Sequence, residues 1–130
     1  MPAQTPVSVG TAYYSQHDTS PPLTRTLLNG DNTDLDLTNA ATVTFTLGYQ
    51  RDFHYRSPYP PIVDRADCSI NDPRIDGSVT WRPVAGDLAQ PGSYQFVFEI
   101  IFNNGTKQTV PAHTYETLVI NVRPGGFEQL

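Results

Sequence analysis

Cysteine is nearly missing from this 130-residue chain: Cys68 stands alone. No internal disulfide can form, and there is no thiolate cluster for a structural zinc site. Positive charge is scarce too. Eight Lys and Arg, with Lys107 the single lysine, face thirteen Asp and Glu, for a formal net charge of −5. An acidic chain without a basic cluster is ill suited to gripping nucleic-acid phosphates or anionic lipid, so neither nucleic acid nor a membrane is an expected partner. No apolar run approaches the length of a membrane-spanning helix. The opening Met1-Pro2-Ala3-Gln4-Thr5-Pro6 lacks the basic start and apolar centre of a secretory leader, which predicts a soluble protein used as encoded. Charged residues amount to only 16% while prolines number 12, a balance that argues against a helical protein.

Aromatic residues are plentiful at 11%, enough to fill the core of one domain. Their spacing reads as strands. From Ala41 to Tyr49, Val43, Phe45, Leu47 and Tyr49 alternate with Thr42, Thr44 and Thr46, the period of a half-buried strand. From Ser93 to Phe102, Tyr94, Phe96, Phe98, Ile100 and Phe102 share one face. Val97 and Ile101 stand with Gln95 and Glu99 on the other, which predicts a central strand. Asn103-Asn104-Gly105 then signals a tight turn with positive φ at both corners, and Thr106 to Val110 is the returning hairpin partner. Tyr115 to Val122 is a further strand with Leu118, Ile120 and Val122 facing one way. Weaker strands are Ser78–Arg82, Ile62–Ile70 with Ala66, Cys68 and Ile70 inward, and Leu23–Leu28. One short helical turn is expected near Val84–Leu88. Gly, Pro, Asn and Asp clusters punctuate these segments. The pattern predicts an all-β chain, a single antiparallel immunoglobulin-like β-sandwich of about seven to eight strands. Phe45, Trp81, Tyr94, Phe96, Phe98 and Ile120 form its expected core.

Three segments stand apart from that sandwich. Residues 1–10 are an extended Pro- and Thr-rich arm, residues 123–130 a short tail, and residues 50–61 an inserted loop within the 11–122 domain. The loop holds Phe53, His54, Tyr55 and Tyr59 among prolines. Aromatics on such a loop either fold back over a sheet edge or present a contact patch. The candidate partner-binding residues are therefore Phe53, His54, Tyr55 and Tyr59 of the loop, Pro6 and Val7 of the arm, and Phe127 of the tail.

A run of local motifs then appears in order. His17-Asp18-Thr19-Ser20-Pro21-Pro22-Leu23 precedes Asn29-Gly30-Asp31, and Leu35-Asp36-Leu37-Thr38-Asn39-Ala40 precedes the strand Val43-Thr44-Phe45. Ile75-Asp76-Gly77, Val79-Thr80-Trp81, Gly86-Asp87-Leu88-Ala89, Pro91-Gly92-Ser93-Tyr94 and Phe98-Glu99-Ile100 follow. Over roughly Gln16 to Val122 this order resembles the phage baseplate upper protein N-terminal domain family. The resemblance implies an immunoglobulin-like sandwich in a virion protein of tailed phages, attaching other parts to the baseplate. Two departures stand out. The 50–61 loop looks like an insertion, and the chain ends just past the domain without the family's receptor-binding extension, which points to a small accessory subunit of tail or head.

Enzyme chemistry finds little footing. Three histidines, His17, His54 and His113, occupy unrelated positions, and no G-x-S-x-G, H-E-x-x-H or phosphate loop is present. Paired carboxylates suited to glycoside cleavage are not evident, since most Asp residues lie in turns and Glu99 lies on a strand. Asp31, Asp34 and Asp36 gather hard oxygen ligands that suit calcium, without EF-hand spacing; a hairpin loop is the stronger reading, and no cofactor is expected. Asn104-Gly105-Thr106 matches the glycosylation triplet but reads better as the hairpin corner. Trp81 and Cys68 are expected in the core.

The expectation is a non-enzymatic structural protein located in a tailed-phage virion, present in many copies and docked to tail, baseplate or major capsid proteins. A head decoration protein is the alternative within that class. A carbohydrate-binding module for host attachment, stacking sugars on Trp81 or on the loop tyrosines, is the alternative from another class.

Overall fold

Alternation of threonine with apolar side chains produces the long strands of this protein, because one phase can be buried while the other stays wet. A computed structural model describes residues 11–31, 33–49, 61–110 and 116–122. Among these the strands are β1 (Ala12–Ser15), β2 (Leu23–Thr26), β3 (Ala40–Gly48), β4 (Val63–Asp67), β5 (Ser69–Ile70), β6 (Ser78–Trp81), β7 (Gly92–Phe102), β8 (Lys107–Val110) and β9 (Glu116–Asn121). They form two sheets and make the protein an all-β sandwich. The six-stranded sheet runs β1-β9-β7-β3-β4 with β8 also on β7, and the three-stranded sheet runs β2-β6-β5.

β7 is central, as its two-sided apolar pattern predicted. β3 pairs along one side of it. On the other side β9 pairs with Gly92–Phe96 and β8 with Phe98–Ile101, one after the other. The register places Phe45 beside Phe98, Leu47 beside Phe96 and Val43 beside Ile100. All six are at most 1% exposed. Trp81, also 1% exposed, reaches them from β6 of the other sheet. Its ring stacks on Phe45 with centroids 4.1 Å apart and planes 17° from parallel. This aromatic contact joins the two sheets. Tyr94 and Ile120 are buried as expected.

Several expectations need correction. The Ile62–Ile70 strand is two strands in different sheets: β4 pairs with β3, then the chain crosses at Cys68 so that β5 pairs with β6. Ala66, Cys68 and Ile70 are accordingly half-buried, packed against the core rather than within it. β1 was not anticipated; Ala-Tyr-Tyr-Ser is too short to show a period, and parallel pairing with β9 creates the strand. That parallel pair departs from a purely antiparallel sandwich. Segment 84–88 is a turn, and the helical turn lies at Arg74–Asp76 instead. Tyr49 and Val122 fall on apolar phases yet are 38% and 67% exposed, because each lies just past its strand's end.

The β7–β8 hairpin forms at the predicted residues with a different turn. Gly105 has φ +88° and neither asparagine has positive φ. Gly105 N–H donates to Phe102 O, and Phe102 N–H donates to Thr106 O across a three-residue loop. This is a type I turn closed by a left-handed glycine, the usual three-residue hairpin solution.

Candidate interaction surface

Strand directions decide where the irregular segments attach. β3 ends at Gly48, opposite Gln95 near the start of β7, and β4 begins at Val63, opposite Leu47. Tyr49 and Pro61, the residues flanking segment 50–60, therefore sit at the end of the sandwich where β7 begins. β9 runs antiparallel to β7 with Ile120 beside Gly92, so Val122, which leads into segment 123–130, lies at the same end. β1 runs parallel to β9 and also finishes there, Ser15 beside Asn121.

Hydrogen bonds hold this end together. Gln16 N–H donates to Asn121 O at 2.7 Å and His17 N–H to Leu88 O at 2.8 Å. Gln16 Nε2 donates to Ala89 O at 2.9 Å. The Tyr94 hydroxyl donates to Gln90 O at 2.7 Å, and its ring lies 5.6 Å from that of Tyr49. Burial raises the Tyr94 phenol above its ordinary value, with Tyr49 adding to the shift. The hydroxyl thus stays a protonated donor that ties the 90–91 turn to β7.

Exposed apolar side chains occur at or near this end, among exposed polar residues such as His17, Gln90 and Asn121. Tyr13 is 67% exposed, Tyr49 38%, Val84 62% and Val122 67%. Tyr13 lies beside Val119 near the end of β9; Val84 belongs to the connection that feeds β7. The opposite end holds Asp36, Asn39, Asn103 and Asn104, which with Phe102 line a shallow hollow. Ile75 is the one further large exposed apolar side chain among the described residues. It lies near the polar end, where Arg74 Nη1 donates to Leu37 O and Ala40 O.

The expected contact residues Phe53, His54, Tyr55, Tyr59, Pro6, Val7 and Phe127 lie outside the described residues. What is seen is that the loop and the tail depart from one end, among exposed apolar side chains. Tyr13, Val84 and Val122 were missed in the sequence. Alternation assigned Val122 to the core, and only the limits of β9 expose it.

The other candidates resolve into structural roles. Trp81 is buried on Phe45 and offers no stacking platform for a sugar. Asp31 Oδ1 accepts from Thr33 N–H and the Thr33 hydroxyl; Asp36 Oδ1 accepts the same pair from Thr38. These bonds hold both carboxyls below the usual range and turn them back onto their own loops. No group of three or more His, Cys, Asp or Glu able to hold a metal occurs among the described residues. Asn104 Oδ1 likewise accepts from Thr106 N–H and its hydroxyl, which makes the glycosylation triplet the hairpin corner. Cys68 is pushed up to about 12, chiefly by burial and secondarily by Asp67. It is a poor nucleophile.

One pair was not legible in the sequence. Arg25 of β2 and Glu116 of β9 occupy the inward phase of opposite sheets, since Arg25 pairs beside buried Val79 and Glu116 beside buried Phe96. They meet as an ion pair at 3.0 Å. The guanidinium lies 5.9 Å from the Phe96 ring centroid, within cation–π range. Charge here links the sheets where the core opens to solvent.

Comparison with known protein families, curated proteins and solved structures finds no match for this chain.

Proposed function

We propose that this protein is a non-enzymatic structural subunit of a tailed-phage virion. In this reading it is a small immunoglobulin-like sandwich that docks through its arm, loop and tail to tail, baseplate or capsid neighbours. The observation that carries the docking reading is where exposed apolar side chains lie. Two exposed apolar side chains, Tyr49 and Val122, lie at the end where segments 50–60 and 123–130 join the sandwich, with exposed Tyr13 on the neighbouring edge strand β1. Exposed apolar clusters mark contact sites, and aromatic anchors dominate interface energetics. The virion assignment rests on the ordered motifs from His17 to Ile100. Weak contacts repeated over many copies on a symmetric particle give tight attachment. A head decoration role uses the same docking end. The sugar-binding alternative loses Trp81 as a platform and keeps only the loop tyrosines.

The test is incorporation into particles. Three variants are compared with wild type: deletion of residues 1–9, Phe53, Tyr55 and Tyr59 replaced by Ser, and Tyr13→Asp with Val122→Asp. Each should remain folded by circular dichroism and be depleted from purified virions. Wild-type occupancy of all three would overturn the docking assignment. Binding of the isolated domain to a glycan array, without particle association, would favour the sugar-binding module.

A further inference from the structure

Asparagine is chemically labile, and most so before glycine, because no side chain shields the next backbone nitrogen. That nitrogen can attack the asparagine Cγ. The new N–Cγ bond forms, the Cγ–Nδ2 bond breaks, and ammonia leaves carrying the proton that the backbone nitrogen gives up. Water then opens the five-membered imide at either carbonyl, leaving aspartate or isoaspartate. Neither oxidant nor cofactor enters. This chain has two such pairs, Asn29-Gly30 and Asn104-Gly105. At both glycines an added Cβ would meet nothing within 4 Å, so space does not distinguish them.

Hydrogen bonds do. Asn29 is half-buried, and its Nδ2 donates to Thr33 Oγ1 at 3.0 Å and to Asp34 O at 3.2 Å. The atom that holds this loop together is the one that must leave. An aspartate at 29 would set an oxygen against the Asp34 carbonyl, which cannot donate. Asn104 is exposed, and its bonds run to its other terminal atom. Its Oδ1 accepts from Thr106 N–H at 3.1 Å and from the Thr106 hydroxyl at 2.7 Å. That oxygen stays throughout, as amide, tetrahedral adduct, imide and, in the aspartate product, carboxylate. Negative charge develops on it as the ring closes, and donors already aimed at such an oxygen lower the barrier. The product has a precedent in the same chain: Asp31 with Thr33 and Asp36 with Thr38 make the same pair of bonds. One backbone bond must open first, since Gly105 N–H donates to Phe102 O at 2.9 Å. Residues 103–106 are all exposed, so this local opening uncovers no core.

We infer that Asn104 is a site of spontaneous deamidation in the folded protein, with Thr106 supplying the donors that favour it, and that the fold protects Asn29. The change puts a new carboxylate in the hollow that Asp36, Asn39, Phe102 and Asn103 also line. This hollow lies at the end opposite Tyr49 and Val122. Docking through the loop and tail is untouched by it, so the chemistry stands apart from the virion reading.

Peptide mapping by mass spectrometry follows both asparagines in one sample, after the full chain stands in mildly alkaline buffer well below its melting transition. Asn104 should convert severalfold faster than Asn29, with isoaspartate among its products. In concentrated urea the two rates should draw level, because only the fold separates the pairs. Thr106→Val, which keeps the N–H and loses the hydroxyl, should slow conversion at Asn104, and Thr106→Ser should restore it. Asn29 converting as fast as Asn104 in the folded chain, or the same ratio persisting in urea, would overturn the assignment. Conversion of Thr106→Val at the wild-type rate would overturn the part given to the hydroxyl.

Discussion

Gly77, Gly86 and Gly105 all adopt positive φ, at +72°, +94° and +88°, yet replacing each with alanine should have different consequences. The left-handed conformation costs an L-residue about 1–2 kcal/mol, and this part is common to all three sites. Space separates them. At Gly86 and Gly105 an added Cβ meets nothing within 4 Å. At Gly77 it would lie 2.7 Å from Leu35 O and 2.8 Å from Leu27 O. Neither carbonyl moves freely: Leu27 N–H donates to Gly77 O at 2.8 Å and Leu35 N–H to Leu27 O at 2.9 Å. Both leucine side chains belong to the core. Relief would have to displace buried groups, an overpacking penalty of about 1–3 kcal/mol beyond the conformational cost. Gly77→Ala should therefore destabilise by about 2–5 kcal/mol, against about 1–2 kcal/mol for Gly86→Ala and Gly105→Ala. Urea unfolding followed by the fluorescence of Trp81 measures all three on one scale. If Gly77→Ala unfolds at the same midpoint as Gly105→Ala, the close approach of the three segments at Gly77 is wrong.

Other expectations follow from the same packing. Phe96→Ala, at a fully buried site touching Phe45 and Phe98, should cost about 3–5 kcal/mol, and a wild-type melting temperature would show the strand phase to be misassigned. Arg25→Met removes one partner of the cross-sheet pair and leaves Glu116 with a half-buried charge; about 1–2 kcal/mol is expected after discounting for solvent access, and chemical denaturation will measure it. Cys68 titrates at about 12 in the fold against 9.0 for a free thiol. A raised acid keeps its full stabilising contribution below the unfolded value and loses it as pH rises from about 9 to about 12. Cys68→Ala should thus flatten the alkaline decline of the unfolding midpoint, and an unchanged slope would contradict the burial of the thiol.

The sequence alone determined the class of fold, its longest strands and most of its core. Period-two patterning is a local property: when Val43, Phe45 and Leu47 alternate with threonines, only a strand can bury one set and hydrate the other. The β7–β8 hairpin was legible for the same reason, since Asn-Asn-Gly between two apolar runs leaves the chain little else to do. Pairing partners and strand limits were not local. β1 exists because β9 lies beside it, and the Ile62–Ile70 segment divides at Cys68 because its two halves find partners in different sheets. The outward positions of Tyr49 and Val122 depend on where a neighbouring strand stops. Arg25 and Glu116, ninety-one positions apart, gave no signal of meeting, because a single charged residue on an inward phase reads as an exception until the facing sheet supplies its counterpart. The placing of exposed Tyr49 and Val122 at one end is likewise a product of strand direction. Only the tertiary structure sets which ends of nonadjacent strands lie together, since a residue's place along the sandwich depends on pairings with segments far away in the chain.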